Sequence, residues 1–225
     1  TYWISNQAMS VDNIMLAVSA RSSKQALWTK KTAGDDKQVI DLLKTVPKEN
    51  SNFIVIHLEG SHDRYKERTP PDFDKVNING NSQKVNDYDS SIKYTDEVLK
   101  GIYQYAKDNM NLQALVYCSD HGEDMKYFHG GSRFTWDMVY VPAFIYLSPS
   151  YEQVHPELAR NLEQNRTRVF TNDLIFDTVC GILHAPNTGY NEKYDLTSKS
   201  YGLTRNEALT KHGEIHISED PALPQ

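Results

Sequence analysis

The chain has 225 residues, 39% of them hydrophobic and 11% aromatic, enough for one large domain or two small ones. Its formal net charge of −6 argues against a general nucleic-acid binder, although a metal or a helix N-terminus can still bind phosphate locally. No apolar run approaches the roughly 18 residues that cross a bilayer, and no signal peptide opens the chain.

The opening TYWISNQ, without an initiator Met, reads as the middle of a strand (Tyr2 to Ser5) and as part of a longer protein. Asp36 to Lys44 carries apolar residues at Val39, Ile40, Leu42 and Leu43, which predicts a short one-faced helix. FIVIHL (Phe53 to Leu58) is a continuous apolar run, as buried parallel strands are. The polar loop after it contains Pro70 and Pro71, which exclude regular helix there.

From Asn86 to Asn109 the period changes. Tyr88, Ile92, Thr95, Leu99, Ile102 and Ala106 recur at helical spacing and predict one amphipathic stripe. LQALVYCS (Leu112 to Ser119) is the next buried strand. VYVPAFIYLS (Val139 to Ser148) follows, with Pro142 marking an edge or bulge. PELARNLEQN and TNDLIFDTVCGILHA predict two helices, the second capped by Thr171 or Asn172 and stopped by Pro186. The tail after Tyr201 lacks periodicity and is expected on the surface. Cys118 and Cys180 read as two buried free thiols rather than a disulfide. Alternating strands and helices give an α/β sandwich with a largely parallel sheet. Sites in such sheets form beyond the carboxyl ends of the strands.

Two polar clusters follow buried strands directly. The first, HLEGSHDRYKER, holds His57, Glu59, His62, Arg64 and Arg68. The second, SDHGEDMKYFHGG, holds Asp120, His121, Glu123, Asp124 and His129. An Asp and a neutral His are both zinc ligands. Gly122 would allow a close, left-handed turn that lets Asp120 and His121 face one ion. His129, eight residues on from His121, can return to the same cavity. The bland alternative is a capped polar turn. Glu123 and Asp124 read either as partners that orient His121 or as exposed acids. His57 reads as a hydrogen-bonded core histidine, and Arg64 and Arg68 as phosphate contacts or a solvated loop. Ser61 and Ser119 sit near the clusters, but the Asp120-His121 order suits a metal better than a Ser-His-Asp relay. His212 and His216 have metal spacing only if their stretch is helical.

Taken in order, HLEGSHDRYKERTPPDF, NDYDSSIKYTDEVL and CSDHGED…FHG resemble the phosphoethanolamine transferases, in the sulfatase-like branch of the alkaline phosphatase superfamily. TYWISNQ and TNDLIFDTVCGILHAPNTGYNEKYDLTS extend the resemblance over most of 2–200. The resemblance implies an alkaline phosphatase-like α/β sandwich with a mostly parallel central sheet flanked by helices. It implies transfer of phosphoethanolamine from a phospholipid donor to a lipid A, core-sugar or glucan acceptor. The setting would be the bacterial inner membrane, with the catalytic domain in the periplasm and the membrane reached through a missing N-terminal region. Asp120 and His121 would be Zn2+ ligands. His62 and His129 would be active-site histidines, for a second metal or for contact with phosphoryl group and acceptor. The family's acidic ligand and Thr nucleophile would lie upstream of Thr1. Residues 1–225 would then be a single catalytic domain lacking its first strand and nucleophile, and inactive alone.

In that family, zinc lowers the pKa of the Thr hydroxyl and the Thr forms a phospho-enzyme, with a histidine moving the proton. The loop between DHGE and His129 looks shorter than in lipid A-modifying members, which leaves the acceptor open. A sulfatase or phosphodiesterase-type hydrolase of the same superfamily, or a non-catalytic binding module, are the alternative readings.

Overall fold

The computed structural model describes residues 1–7, 25–28, 36–130, 133–185 and 187–222. They fall into two compact units, Thr1–Leu112 and Gln113–Gln225. No described helix is long and apolar enough to cross a membrane.

In the first unit a three-stranded parallel sheet runs in the order β2-β1-β3, from β1 (Tyr2–Ser5), β2 (Gln25–Trp28) and β3 (Ile54–His57). Tyr2 pairs with Gln25 on one side and Ile54 on the other, so β1 is central. The sequence pattern anticipated β1 and β3, whereas four residues of QALW carried too little signal for β2. Helix α1 (Gln38–Thr45) buries Val39 and Leu43 against this sheet. Helix α2 (Gln83–Asn109) supplies Tyr94, Val98 and Ile102 to the same core. Ile4, Val39 and Val98 are completely buried, each contributing about 1.5–3 kcal/mol.

The buried stripe of α2 differs from the expected one. Ile92 is exposed, while Ser90, Ser91 and Asn86 are buried. The reason is polar. Ser90 accepts the Val76 N–H at 2.9 Å, and Asn86 Oδ1 accepts the Ile78 N–H at 3.1 Å. The helix therefore turns a hydrogen-bonding face to the loop before it, and the apolar core stripe is displaced to Tyr94, Val98, Ile102 and Ala106.

In the second unit β4 (Ala114–Cys118) and β5 (Ala143–Leu147) form an antiparallel pair, with Val116 opposite Ile145. Pro142 precedes β5 and needs to donate nothing there; its carbonyl accepts the Ser119 N–H at 3.2 Å. A helix not anticipated, α3 (Pro149–Val154), starts at Ser148, whose side chain accepts the Tyr151 N–H. Helix α4 is Pro156–Asn165, and α5 is Ile175–Ile182 after a single 3₁₀ turn. Thr171 stands at the cap of that turn but makes no side-chain capping bond. Pro186 lies outside the described residues.

The tail is not a loose surface segment. Tyr201, Leu203 and Ala208 are buried with Leu174 in a second core. A small hairpin, β6 (Leu209–Thr210) with β7 (Ile215–His216), follows. His212 sits in its turn at φ 57, so the helical spacing that would have joined it to His216 does not arise. Both cysteines are free and half-buried. Burial, with help from the Asp120 charge, pushes the Cys118 thiol up to about 11.

Candidate functional site

The first cluster is built on Asp36, a residue that the sequence pattern did not single out. Its carboxyl is buried in front of α1. It accepts Asn6 Nδ2 at 2.7 Å, the Glu59 N–H at 3.0 Å and the Gly60 N–H at 2.8 Å. One carboxylate thus ties the end of β1 to the loop leaving β3. Arg68 folds the far end of that loop. Its guanidinium donates to the carbonyls of His62 and Asp63 and pairs with Glu59, so it is neither a solvated cation nor a phosphate contact in this arrangement. Arg64 remains exposed, with Glu67 3.9 Å away. His62 is displayed on the exposed crest of this loop. His57 approaches Ser5 Oγ at 3.2 Å and packs beside Trp3, as the core reading of His57 requires. The Ser61 hydroxyl is buried.

The second cluster lies past the end of β4. Gly122 does not adopt a left-handed backbone; it is required for close approach. A Cβ there would lie 2.2 Å from the Asp137 carbonyl oxygen and 2.5 Å from that of Tyr140. The Gly122 N–H donates to the Met138 carbonyl at 2.8 Å. Asn172, expected as a helix cap, instead donates Nδ2 to the Asp120 carbonyl at 2.6 Å. The Ser119 hydroxyl donates to the His121 carbonyl at 2.9 Å, a loop-forming bond and not that of a nucleophile with a base.

Asp120 and His121 face one another. Asp120 Oδ1 accepts the His121 backbone N–H at 3.0 Å, while Oδ2 lies 3.8 Å from His121 Nε2. Nδ1 of His121 is 2.9 Å from the Gly122 carbonyl, which can only accept. Nδ1 therefore carries a proton, which leaves Nε2, on the side of Oδ2, as the nitrogen that can bind a cation when the ring is neutral. An oxygen and a nitrogen donor this close can share one cation. Zinc bonds of about 2.0–2.1 Å at a tetrahedral angle place two ligand atoms roughly 3.3 Å apart, a small rotation from the observed separation. The pair fits a zinc ion as half of a tetrahedral set. Among the described residues no three His, Cys, Asp or Glu side chains gather at one point.

His129 stacks on His121, with ring centroids 3.9 Å apart and planes inclined at 28°. Its Nδ1 lies 2.9 Å from Glu123 Oε2, and the Glu123 side chain is only 4% exposed. Glu123 is therefore neither an exposed acid nor a partner of His121: it holds His129. Asp124 is also buried. Its carboxylate accepts the N–H groups of Lys126 and Tyr127 and the Thr135 hydroxyl. The Tyr127 bond first, then Thr135, holds the Asp124 carboxyl below the usual range. Asp124 thus shapes the turn that carries Phe128, at φ 61, and then His129.

The sulfatase family model matches residues 1–185. Phosphoethanolamine transferase EptC of Escherichia coli O18:K1:H7 is 27% identical over 91% of this chain and 39% of its own length. Kdo(2)-lipid A phosphoethanolamine 7''-transferase of Salmonella typhimurium is 25% identical over 70% of this chain and 32% of its own. The chain thus spans less than two fifths of the length of these relatives. The crystal structure of the C-terminal periplasmic domain of EcEptC from Escherichia coli matches with a TM-score of 0.78 at 25% identity, over 98% of this chain and 69% of that one. The same domain in complex with Zn matches with a TM-score of 0.78 at 24% identity.

Proposed function

The chain belongs to the sulfatase family, and on that premise we propose that it carries out metal-dependent transfer of phosphoethanolamine from a phospholipid to a glycolipid or glycan of the bacterial envelope. The observation that carries this reading is the opposed pair Asp120 Oδ2 and His121 Nε2, 3.8 Å apart, with His121 Nδ1 turned to the Gly122 carbonyl. The likeness to EptC and to the lipid A transferase supports the reaction class and the acceptor class. The zinc complex of the EptC domain supports the choice of metal.

Asp120 and His121 would hold the ion. When bound, it would supply Lewis-acid stabilisation of phosphoryl charge and lower the pKa of a nucleophilic hydroxyl. A Thr nucleophile and an acidic ligand would come from sequence outside these 225 residues, which with them would make one catalytic domain on the periplasmic side of the inner membrane. Nε2 of His129 would take the proton from the incoming acceptor hydroxyl or give one to the leaving alcohol. His62 would serve the phosphoryl group or the acceptor from its exposed loop.

The test uses the complete protein, melted with and without zinc, beside Asp120→Ala. Zinc in hundredfold excess over Kd is expected to raise Tm by about 5 °C, and Asp120→Ala to abolish the rise. The same preparation, given phosphatidylethanolamine vesicles and lipid A, should add one phosphoethanolamine group to the acceptor by mass spectrometry. An undiminished zinc response in Asp120→Ala overturns the metal assignment. Release of free phosphoethanolamine without acceptor modification makes the protein a hydrolase.

A further inference from the structure

We infer that Glu123 is a positioning residue whose buried carboxylate fixes the tautomer and ring orientation of His129. The Glu123 side chain is 4% exposed, and its Oε2 lies 2.9 Å from His129 Nδ1. An ionised carboxylate accepts and cannot donate. With Glu123 ionised, Nδ1 of His129 carries a proton, and in the neutral ring Nε2 is the lone-pair nitrogen. A free neutral imidazole prefers the opposite arrangement, with the proton on Nε2. Glu123 reverses that preference and holds the ring stacked on His121, 3.9 Å between centroids.

A purely structural role does not account for this carboxylate. Its second oxygen, Oε1, is buried and has no hydrogen-bond partner among the described residues. A buried charge with an unmatched oxygen costs stability, and a neutral side chain of the same shape would cost less. On that count Gln, which keeps an oxygen for His129 Nδ1 and carries no charge, should serve folding about as well, and what distinguishes Glu123 is its hold on His129. This is the stability–function conflict expected where a side chain serves chemistry. What His129 then does rests on the transferase reading above; how it is held does not.

Two measurements separate these possibilities. The first is the ¹⁵N spectrum of the histidine-labelled complete protein, with His129 identified by its loss in His129→Asn. Wild type should show Nδ1 protonated and Nε2 unprotonated. Glu123→Ala should move His129 to the Nε2–H form, and Glu123→Gln should do so in part. The second compares stability with turnover in the complete protein. Glu123→Gln should melt at or above the wild-type temperature, while kcat falls about 10–100-fold, as loss of a ligand-orienting partner does, and KM stays within about twofold.

An Nε2–H tautomer in wild type overturns the inference. So does an unchanged spectrum in both variants, or full turnover in Glu123→Gln. Should Glu123→Ala fail to fold, Glu123→Gln carries the comparison alone. A tautomer change in a protein that transfers no phosphoethanolamine sustains the role of Glu123 and removes the transferase reading instead.

Discussion

The Gly60 N–H donates to Asp36 Oδ2 at 2.8 Å, across 24 residues of sequence. With the Glu59 N–H on Oδ1, it makes Asp36 the anchor of the loop that carries His62. Asp36→Ala leaves two backbone donors and the Asn6 amide without their acceptor. We expect a loss of about 3 kcal/mol in urea unfolding, at about 1 kcal/mol or more for each donor left unmatched. Asp36→Asn keeps one acceptor oxygen and should lose about half as much. Equal stability of Asp36→Ala and wild type would show that the loop does not depend on this carboxylate.

Two glycines, Gly122 after His121 and Gly130 after His129, should respond differently to the same substitution. At Gly122 the obstruction is main chain on three sides, from Asp137, Met138 and Tyr140. Backbone cannot swing aside as a flexible side chain would, so Gly122→Ala should cost about 3 kcal/mol. At Gly130 a Cβ meets open space, but φ is +78. Gly130→Ala should cost only the left-handed penalty, about 1 kcal/mol. Thermal melts of the two variants decide the matter, and a larger loss at Gly130 would reverse the argument.

The difference between these glycines shows what the sequence could and could not convey. DHGED after an apolar strand announces a polar site because local chemistry is written in adjacent residues. The reason for Gly122 is a carbonyl 15 residues away, at Asp137, and nothing local encodes that approach. The same distinction covers the rest. Strand β3 was legible as an unbroken apolar run and helix α1 as a one-faced spacing, because each signal lies in neighbouring residues. Ser90 and Asn86 were not, since their burial depends on backbone N–H groups of Val76 and Ile78 that only the folded loop presents. Asn172 looked like a cap because Asn caps helices, yet its partner is the Asp120 carbonyl, 52 positions away. The tail was misread for a related reason. Tyr201, Leu203 and Ala208 follow no period, and they are buried because they close on Leu174, not because they share a face.

That packed tail makes a prediction in acid. Lys193 Nζ, with help from the Thr204 hydroxyl and N–H, holds the Glu207 carboxyl down at about 2. The ordinary value for an unfolded Glu is about 4.3. A carboxylate whose folded pKa is depressed stabilises the fold fully above its unfolded value and stops doing so as pH falls through the folded one. Glu207→Gln should therefore melt below wild type at pH 7, and the gap should close between pH 4.5 and 2. The site is exposed, so the gap is small, and about 1 M salt should narrow it further. A gap that stays constant from pH 7 to pH 2 would mean that the charge of Glu207 plays no part.

Asn172 offers a way to disturb the Asp120–His121 pair without touching either ligand. Its Nδ2 donates to the Asp120 carbonyl at 2.6 Å. Removing that bond frees the Asp120 backbone to turn, and Oδ2 then loses its fixed distance to Nε2. Asn172 is exposed, so Asn172→Ala should shift the melting temperature of the zinc-free protein by only about 2 °C, as surface substitutions do. Zinc affinity should fall by more, about tenfold, because an outer partner of a ligand sets the ligand's orientation. Asn172→Asp, which places an acceptor against the carbonyl, should weaken zinc at least as much as Ala. Titration calorimetry with zinc on the three complete proteins measures the order. Full zinc affinity in both variants would mean that the main chain around Asp120 is held by its neighbours alone.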